Sequence, residues 1–238
     1  MQKDTMSKGH LLTKSKFIRG LQCERAMWLD VYNPRMARYS RETLDKFRAG
    51  RNFEHSFKST YPEGIDISKR LGRRVGQYPV LTAQLLREAG EVTLFEAGFL
   101  YDDVLVLADV VCKHSDGSID IYEVKGGRAI SETFRNDVAI QTYVIAHALQ
   151  QIGGGDLFNP GLCLRHFDLL YDGGEEGFQK EDQLEASLQR QEEIAGKVSH
   201  FKSVLGGGEP AIVQSDHCMQ PYECPYRQYC MLQAISGK

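Results

Sequence analysis

Two apolar runs joined by a short polar turn constrain this chain more than any other feature. They lie in the stretch LADVVCKHSDGSIDIYEVKGG, where DDVLVLAD leads to Asp109, SIDIYEVK carries Glu123 and Lys125, and HSDG stands between. Runs of this length and composition, bounded by turn residues, read as two strands of a hairpin. A hairpin brings Asp109, expected to close its strand, and Glu123 to one end of a sheet. Glu123 and Lys125 share one face because side chains alternate along a strand. Val124 then turns into the core, and its carbonyl oxygen is available as a further metal ligand. A buried carboxylate is costly without a partner. Two carboxylates beside an ammonium can hold a hard divalent cation and steer a water, the minimum for hydrolysing a phosphodiester. Taken alone, Glu123-Val124-Lys125 reads equally well as a structural ion pair on an exposed strand; the aspartate across the hairpin favours the site.

The surrounding pattern is α/β. Residues 11–31 read as two short helices broken near Gly20, with Thr13 or Ser15 as a cap. Residues 40–60 read as a longer helix capped by Ser40, with Leu44, Phe47 and Phe57 on its apolar side. A helix from Pro79, three strand candidates (VTLFEAGFLY, DVLVLADVVCK and SIDIYEVK), a strong helix from 130, a strand in GLCLRHFDLLYD and a long amphipathic helix over 178–205 follow. This order predicts a mixed central sheet flanked by helices, as one domain with a helical cap. Along the chain, His55 follows Glu54 on a helix, and a lone helical histidine is more often surface or core than ligand. Glu96 is an acid within an apolar strand, open equally as a carboxylate supporting the metal ligands from behind or as the partner of a neighbouring base. Asp137 and Gln141 share a helix face, with Tyr143 off it. Gln141 is placed to bond the lysine or a phosphate, or to stand as a solvated amide.

The six cysteines divide into two groups. Cys112 and Cys163 sit in apolar strands and read as small buried hydrophobes. Cys218, Cys224 and Cys230 recur in the tail HCMQPYECPYRQYC with two equal gaps of five residues. Such spacing points to thiolate ligands, and Cys23, near the other end of the chain, is the natural fourth. A four-iron cluster, zinc (with His217 as a substitute ligand) and unligated thiols all remain open on spacing alone.

Charge is strongly asymmetric: residues 1–75 hold 17 Lys and Arg against 8 Asp and Glu, while the whole chain has a net charge of −3. A basic N-terminal third suits a polyanion such as DNA, or a solvated helix surface. The N-terminus lacks the apolar core of a signal peptide, and no apolar run is long enough to span a bilayer, so a cytoplasmic protein without a membrane partner is expected.

Taken together, these motifs resemble the PD-(D/E)XK nuclease superfamily: Asp109, then Glu123-Val124-Lys125, with His55 before them and Gln141 after. With Cys23 and the cysteine tail they resemble its RecB-like iron–sulfur branch, which includes the CRISPR-associated RecB-like exonuclease of the adaptation module and the AddB nuclease domain. KSKFIRGLQCERAMWL, NDVAIQTY and HCMQPYECPYRQYC carry the same resemblance. It covers nearly the whole chain. It implies a restriction-endonuclease-like core over 79–205, a basic helical cap over 1–78 and a cluster segment over 206–238. It implies that His55, Asp109, Glu123 and the Val124 carbonyl bind Mg²⁺ or Mn²⁺, that Lys125 activates water, and that Gln141 belongs to a glutamine–tyrosine motif. It implies that Cys23, Cys218, Cys224 and Cys230 hold a mainly structural [4Fe–4S] cluster. The expected activity is metal-dependent cleavage of single-stranded DNA or duplex ends, in CRISPR adaptation or in DNA repair and defence, with adaptation proteins or a helicase as partners. The rival expectation is a catalytically weak nucleic-acid-binding adaptor of the same fold. Two departures from the family pattern are visible: the gap from Gln141 to Tyr143 is short, and the C-terminal cysteines lack a C-x2-C pair.

Overall fold

The computed structural model describes residues 11–153 and 162–235; residues 1–10, read above as lacking a signal-peptide core, lie outside them. In chain order the elements are β1 (Leu12–Thr13), α1 (Lys14–Gln22), α2 (Glu24–Tyr32), α3 (Arg41–Lys58), β2 (Ile65–Asp66), α4 (Ile67–Leu71), α5 (Tyr78–Glu88), β3 (Val92–Tyr101), β4 (Val104–Lys113) and β5 (Ser118–Lys125). There follow α6 (Glu132–Ile152), β6 (Cys163–Asp172), β7 (Phe178–Asp182), α7 (Leu184–Leu188), α8 (Gln191–Gly206) and α9 (Arg227–Ile235). The strands form one mixed sheet in the order β2-β3-β4-β5-β6-β7, with β1 pairing β4 off that path. β3, β4 and β5 are antiparallel neighbours, whereas β5 and β6 run parallel through the crossover helix α6. The expected mixed sheet flanked by helices is therefore present.

The two faces of the sheet bury different cores. On one, Val106, Ile121, Val138, Val144, Phe167 and Val198 belong to a large cluster that joins the sheet to α6 and α8. On the other, Phe57 of α3 meets Phe95, Val110, Cys112, Val124 and Leu170. α3 comes close because Gly126, just past β5, faces Gly50: a Cβ on Gly126 would lie 3.2 Å from the Gly50 Cα.

Several local expectations need correction. The first two helices break at Cys23, not Gly20. Gly20 stays helical because its missing side chain admits Met27 and Phe201, whose atoms would lie 2.8–2.9 Å from a Cβ there. Thr13 does cap α1 and Ser40 caps α3. Leu44 and Phe47 are exposed, since the first half of α3 stands clear of the sheet and only its last turns reach the core. Residues 178–205 are not one helix. Phe178–Asp182 pairs antiparallel with β6 as an edge strand, and two helices follow. The first 78 residues, expected to be a helical cap, also give two strands to the sheet. Among the described residues no helix is long and apolar enough to cross a membrane.

Candidate active site and cysteine cavity

The centre of the sheet is forked. β5 pairs with β4 from Lys113↔Ile119 to Val110↔Tyr122, and the ladder stops there. Farther along β4, the two residues of β1 take up Val104 and Leu105. β3 covers the opposite edge of β4 along its length, so β1 and β5 share one edge and leave a gap between them. Asp109 lies at that gap. It sits within β4, which runs on to Lys113, and does not close the strand as expected. Its Oδ2 accepts a 2.8 Å hydrogen bond from the Val124 amide, in place of the lost ladder bond.

The same point is irregular on the other side. Phe95 pairs with Val110 and Ala97 with Ala108, but Glu96 and Asp109 between them do not pair. Glu96 has φ +53°, a left-handed conformation that a non-glycine residue adopts at a cost. Here both strands exchange faces: Leu94, Ala97 and Phe99 face the larger core while Phe95 faces the smaller; Ala108 faces the larger and Val110 the smaller. An irregularity of this kind re-aims side chains. It turns Glu96 and Asp109 toward α3, where Glu54 approaches. Carboxylate oxygens of Glu54, Glu96 and Asp109 lie within 4.8 Å of one another, a separation suited to one cation.

Glu54 thus occupies the place expected for His55. Successive helical residues point about 100° apart, so only one of the pair can face the fork. His55 is exposed and lines an adjoining groove of about 540 Å³ with Lys58, Tyr61, Lys69, Arg70 and Phe95. Lys58 bridges Glu54 and Glu96 at 2.5 and 2.6 Å.

Glu123 and Lys125 face α6, as their alternation with Val124 requires, and Val124 is buried in the smaller core. Glu123 is 1% exposed; its Oε1 accepts from Lys125 at 2.7 Å and from Lys14 at 2.8 Å, and its Oε2 accepts from Gln141 Nε2 at 2.7 Å. Lys125 also pairs with Asp137 of α6. Gln141 is therefore a buried support for Glu123 and not a solvated amide; its Oε1 is buried without a partner. Tyr143 bonds Asp102 instead, away from this group.

Burial and the Glu123 charge push the Asp109 carboxyl up to about 8. Burial also raises Glu123, but the Lys125 and Lys14 ammoniums overcome it and hold that carboxyl at about 2. Burial raises Glu96 too, with partial relief from Lys58. Burial would lower Lys125, yet Asp137 and Glu123 hold its ammonium well above its ordinary range. The result is one ionised carboxylate locked between lysines beside acids that resist ionisation.

The cysteines expected to act together do meet. Cys23, Cys218, Cys224 and Cys230 line one cavity with Arg25 and His217. Cys23 lies at the break between α1 and α2, and the tail is sewn onto these helices. Gln22 Nε2 donates to the carbonyls of His217, Gln220 and Tyr222; Tyr226 donates to Asp30 at 2.6 Å; the Arg38 amide donates to the Pro225 carbonyl. Four thiolates around zinc, at ~2.3 Å from the metal, stand only ~3.8 Å apart. Among the described residues no three of these thiols gather within 4.8 Å. Burial holds the Cys23, Cys224 and Cys230 thiols up, Cys224 at about 11, so thiolates form there only as a metal displaces the protons. Cys112 is buried as expected, whereas Cys163 is exposed at the start of β6.

Sequence reasoning missed Glu54, Lys14 and Lys58. No family model matches the chain, and no curated protein matches it.

Proposed function

We propose that this chain is a divalent-metal-dependent DNA nuclease of the PD-(D/E)XK type, with a restriction-endonuclease-like core and a [4Fe–4S] cluster on Cys23, Cys218, Cys224 and Cys230. The observation that carries the reading is the fork, where acids from β3, β4 and α3 converge on one face while an acid and a lysine from β5 face α6, within electrostatic reach of Asp109. All-oxygen donors at this separation fit Mg²⁺ or Mn²⁺. A divalent cation bound there supplies polarisation of the scissile phosphate and a lowered pKa for the attacking water. Glu54, Glu96 and Asp109 would hold it; this ligand set replaces His55 with Glu54 and leaves out Glu123, which is locked between lysines on the α6 side, and the Val124 carbonyl. Lys125, anchored by Asp137 and Glu123, offers positive charge to the phosphate as charge develops. Gln141 fixes Glu123 from beneath. Four cysteines on one cavity support a metal or cluster there, and the resemblance favours iron–sulfur over zinc.

The DNA approach is supported by α3 and what precedes it. Tyr39 and Phe47 are exposed and pack edge to face, and Arg41, Arg48 and Arg51 stand exposed nearby. Aromatic faces among basic side chains suit unstacked single-stranded bases. Adaptation proteins or a helicase remain the proposed partners, in a cytoplasmic setting.

A second reading has one observation in its favour. Glu54, Glu96 and Glu123 are already paired with lysines, so the site balances its charge without a cation, as a catalytically weak binding adaptor would. Cleavage of end-labelled single- and double-stranded DNA with Mn²⁺ separates the two. Cutting by the anaerobically purified protein that disappears in Asp109→Ala and Lys125→Ala supports the nuclease. Binding without cutting, unchanged in both variants, supports the adaptor.

A further inference from the structure

Lys14 opens the stretch KSKFIRGLQCERAMWL but was given no role there, yet its ammonium reaches a carboxylate that is 1% exposed. It gets there through the fork. β1 occupies the edge of β4 that β5 abandons, and α1 starts at the next residue, so its first side chain enters the gap. α1 then runs its nine residues, about 13 Å, straight to Cys23 at its C-cap. One short helix therefore has its first residue on Glu123 and its cap in the thiol ring. Its sides are fixed by buried Phe17 and Ile18 and by the close approach of Gly20 to Met27 and Phe201. Gln22, in its last turn, holds three carbonyls of the cysteine tail.

We propose that Lys14 is a positioning residue of the carboxylate site, acting through Glu123, and that α1 makes its placement depend on the cysteine staple, so that loosening the thiol ring loosens Glu123. This rests on the nuclease reading for its consequence in cleavage, but not for the mechanical coupling. Lys14 fixes one carboxylate oxygen from the α1 side while Lys125 fixes it from β5; without Lys14, Glu123 turns about Lys125 and Gln141. The competing account is that the β1–β4 pairing alone sets Lys14, in which case the thiols have no influence.

The test uses the anaerobically purified full chain and its Lys14→Met, Lys14→Arg, Cys23→Ser, Gln22→Ala and Lys14→Met/Gln22→Ala variants. Two readouts are taken: steady-state Mn²⁺-dependent cleavage, and hydrogen–deuterium exchange of the peptide spanning residues 118–125. Lys14→Met is expected to lower kcat about 10- to 100-fold with KM changed less than about threefold, the scale of a small misplacement. Lys14→Arg recovers most of the rate. Gln22→Ala, which keeps all four thiols should Cys23→Ser fail to fold, lowers kcat as well and adds little on top of Lys14→Met. Lys14→Met, Gln22→Ala and, where it folds, Cys23→Ser raise exchange in 118–125 and leave 178–182 unchanged. Multiplicative losses in the double variant, or exchange in 118–125 that stays at the parent level in Gln22→Ala, overturn the coupling. If the parent shows no Asp109-dependent cleavage, the nuclease reading fails separately, and the exchange data alone decide the coupling.

Discussion

Lys125→Met tests the electrostatic design of the site through stability, whatever the chain cleaves. Lys125 is one-fifth exposed and joins Glu123, 1% exposed, to Asp137, one-tenth exposed. The Glu123 carboxyl sits at about 2 against an ordinary 4.5. At ~1.4 kcal/mol per unit, that difference is worth about 3 kcal/mol, shared between Lys125 and Lys14. Removing Lys125 also strands Asp137, and breaking a buried pair from one side costs roughly 3–5 kcal/mol. A loss of about 3 kcal/mol at pH 7 is expected, with about half of that for Lys14→Met, which strands no second acid. At ~2–4 °C per kcal/mol for a chain of this size, the Tm falls by roughly 6–12 °C. The pH dependence follows from the direction of the shift. Glu123 is depressed on folding, so its contribution is complete above about 4.5 and fades as pH falls toward about 2. Urea unfolding at pH 7 and at pH 3 measures both. A Lys125→Met protein within about 0.5 kcal/mol of the parent at pH 7, or an equal deficit at both pH values, refutes the reasoning.

Other outcomes follow from the same geometry. Asp109 is held up at about 8, so a cation must displace its proton at neutral pH. Mn²⁺ affinity should rise close to tenfold per pH unit below about 8 and level off above it, and calorimetry of Asp109→Asn should show a flatter profile. Gly20→Ala forces a Cβ to within 2.8–2.9 Å of Met27 and Phe201, and should cost about 1–3 kcal/mol by thermal unfolding. Cys218→Ser should remove the brown colour and the absorbance near ~400 nm expected of the anaerobically purified parent, and metal analysis should find iron rather than zinc there.

Much of the hairpin was legible because its two strands and its turn are adjacent in sequence, so Asp109 comes to the Val124 amide, but Glu123 and Lys125 face α6 while Asp109 turns toward α3. The shared cysteine cavity was legible for a different reason: equal spacing in a proline-broken tail sets three cysteines apart as a group, even when the fourth lies near the other terminus. What stayed hidden depends on register and helix phase. Glu96 meets Asp109 only because the β3–β4 ladder sets them opposite and both strands exchange faces there; nothing in LFEAGF announces a left-handed glutamate. Choosing Glu54 over its neighbour His55 depends on the phase at which α3 docks, which the close approach of Gly126 to Gly50 helps set. Lys14 depends on β1 finding the vacant edge of β4, a pairing of two residues too short to leave a pattern. Phe178–Asp182 read as helix because its polar residues carry no alternation, and pairing with β6 overrides their propensity.

The three converging carboxylates either hold a cation or they do not. Electron paramagnetic resonance of Mn²⁺ titrated into the full chain measures this without reference to any substrate. One bound ion is expected in the parent and in His55→Ala, with affinity reduced at least about tenfold in Glu96→Gln and Asp109→Asn. Binding that is lost in His55→Ala but retained in Glu96→Gln, or a parent that binds no Mn²⁺ at millimolar concentration, contradicts it.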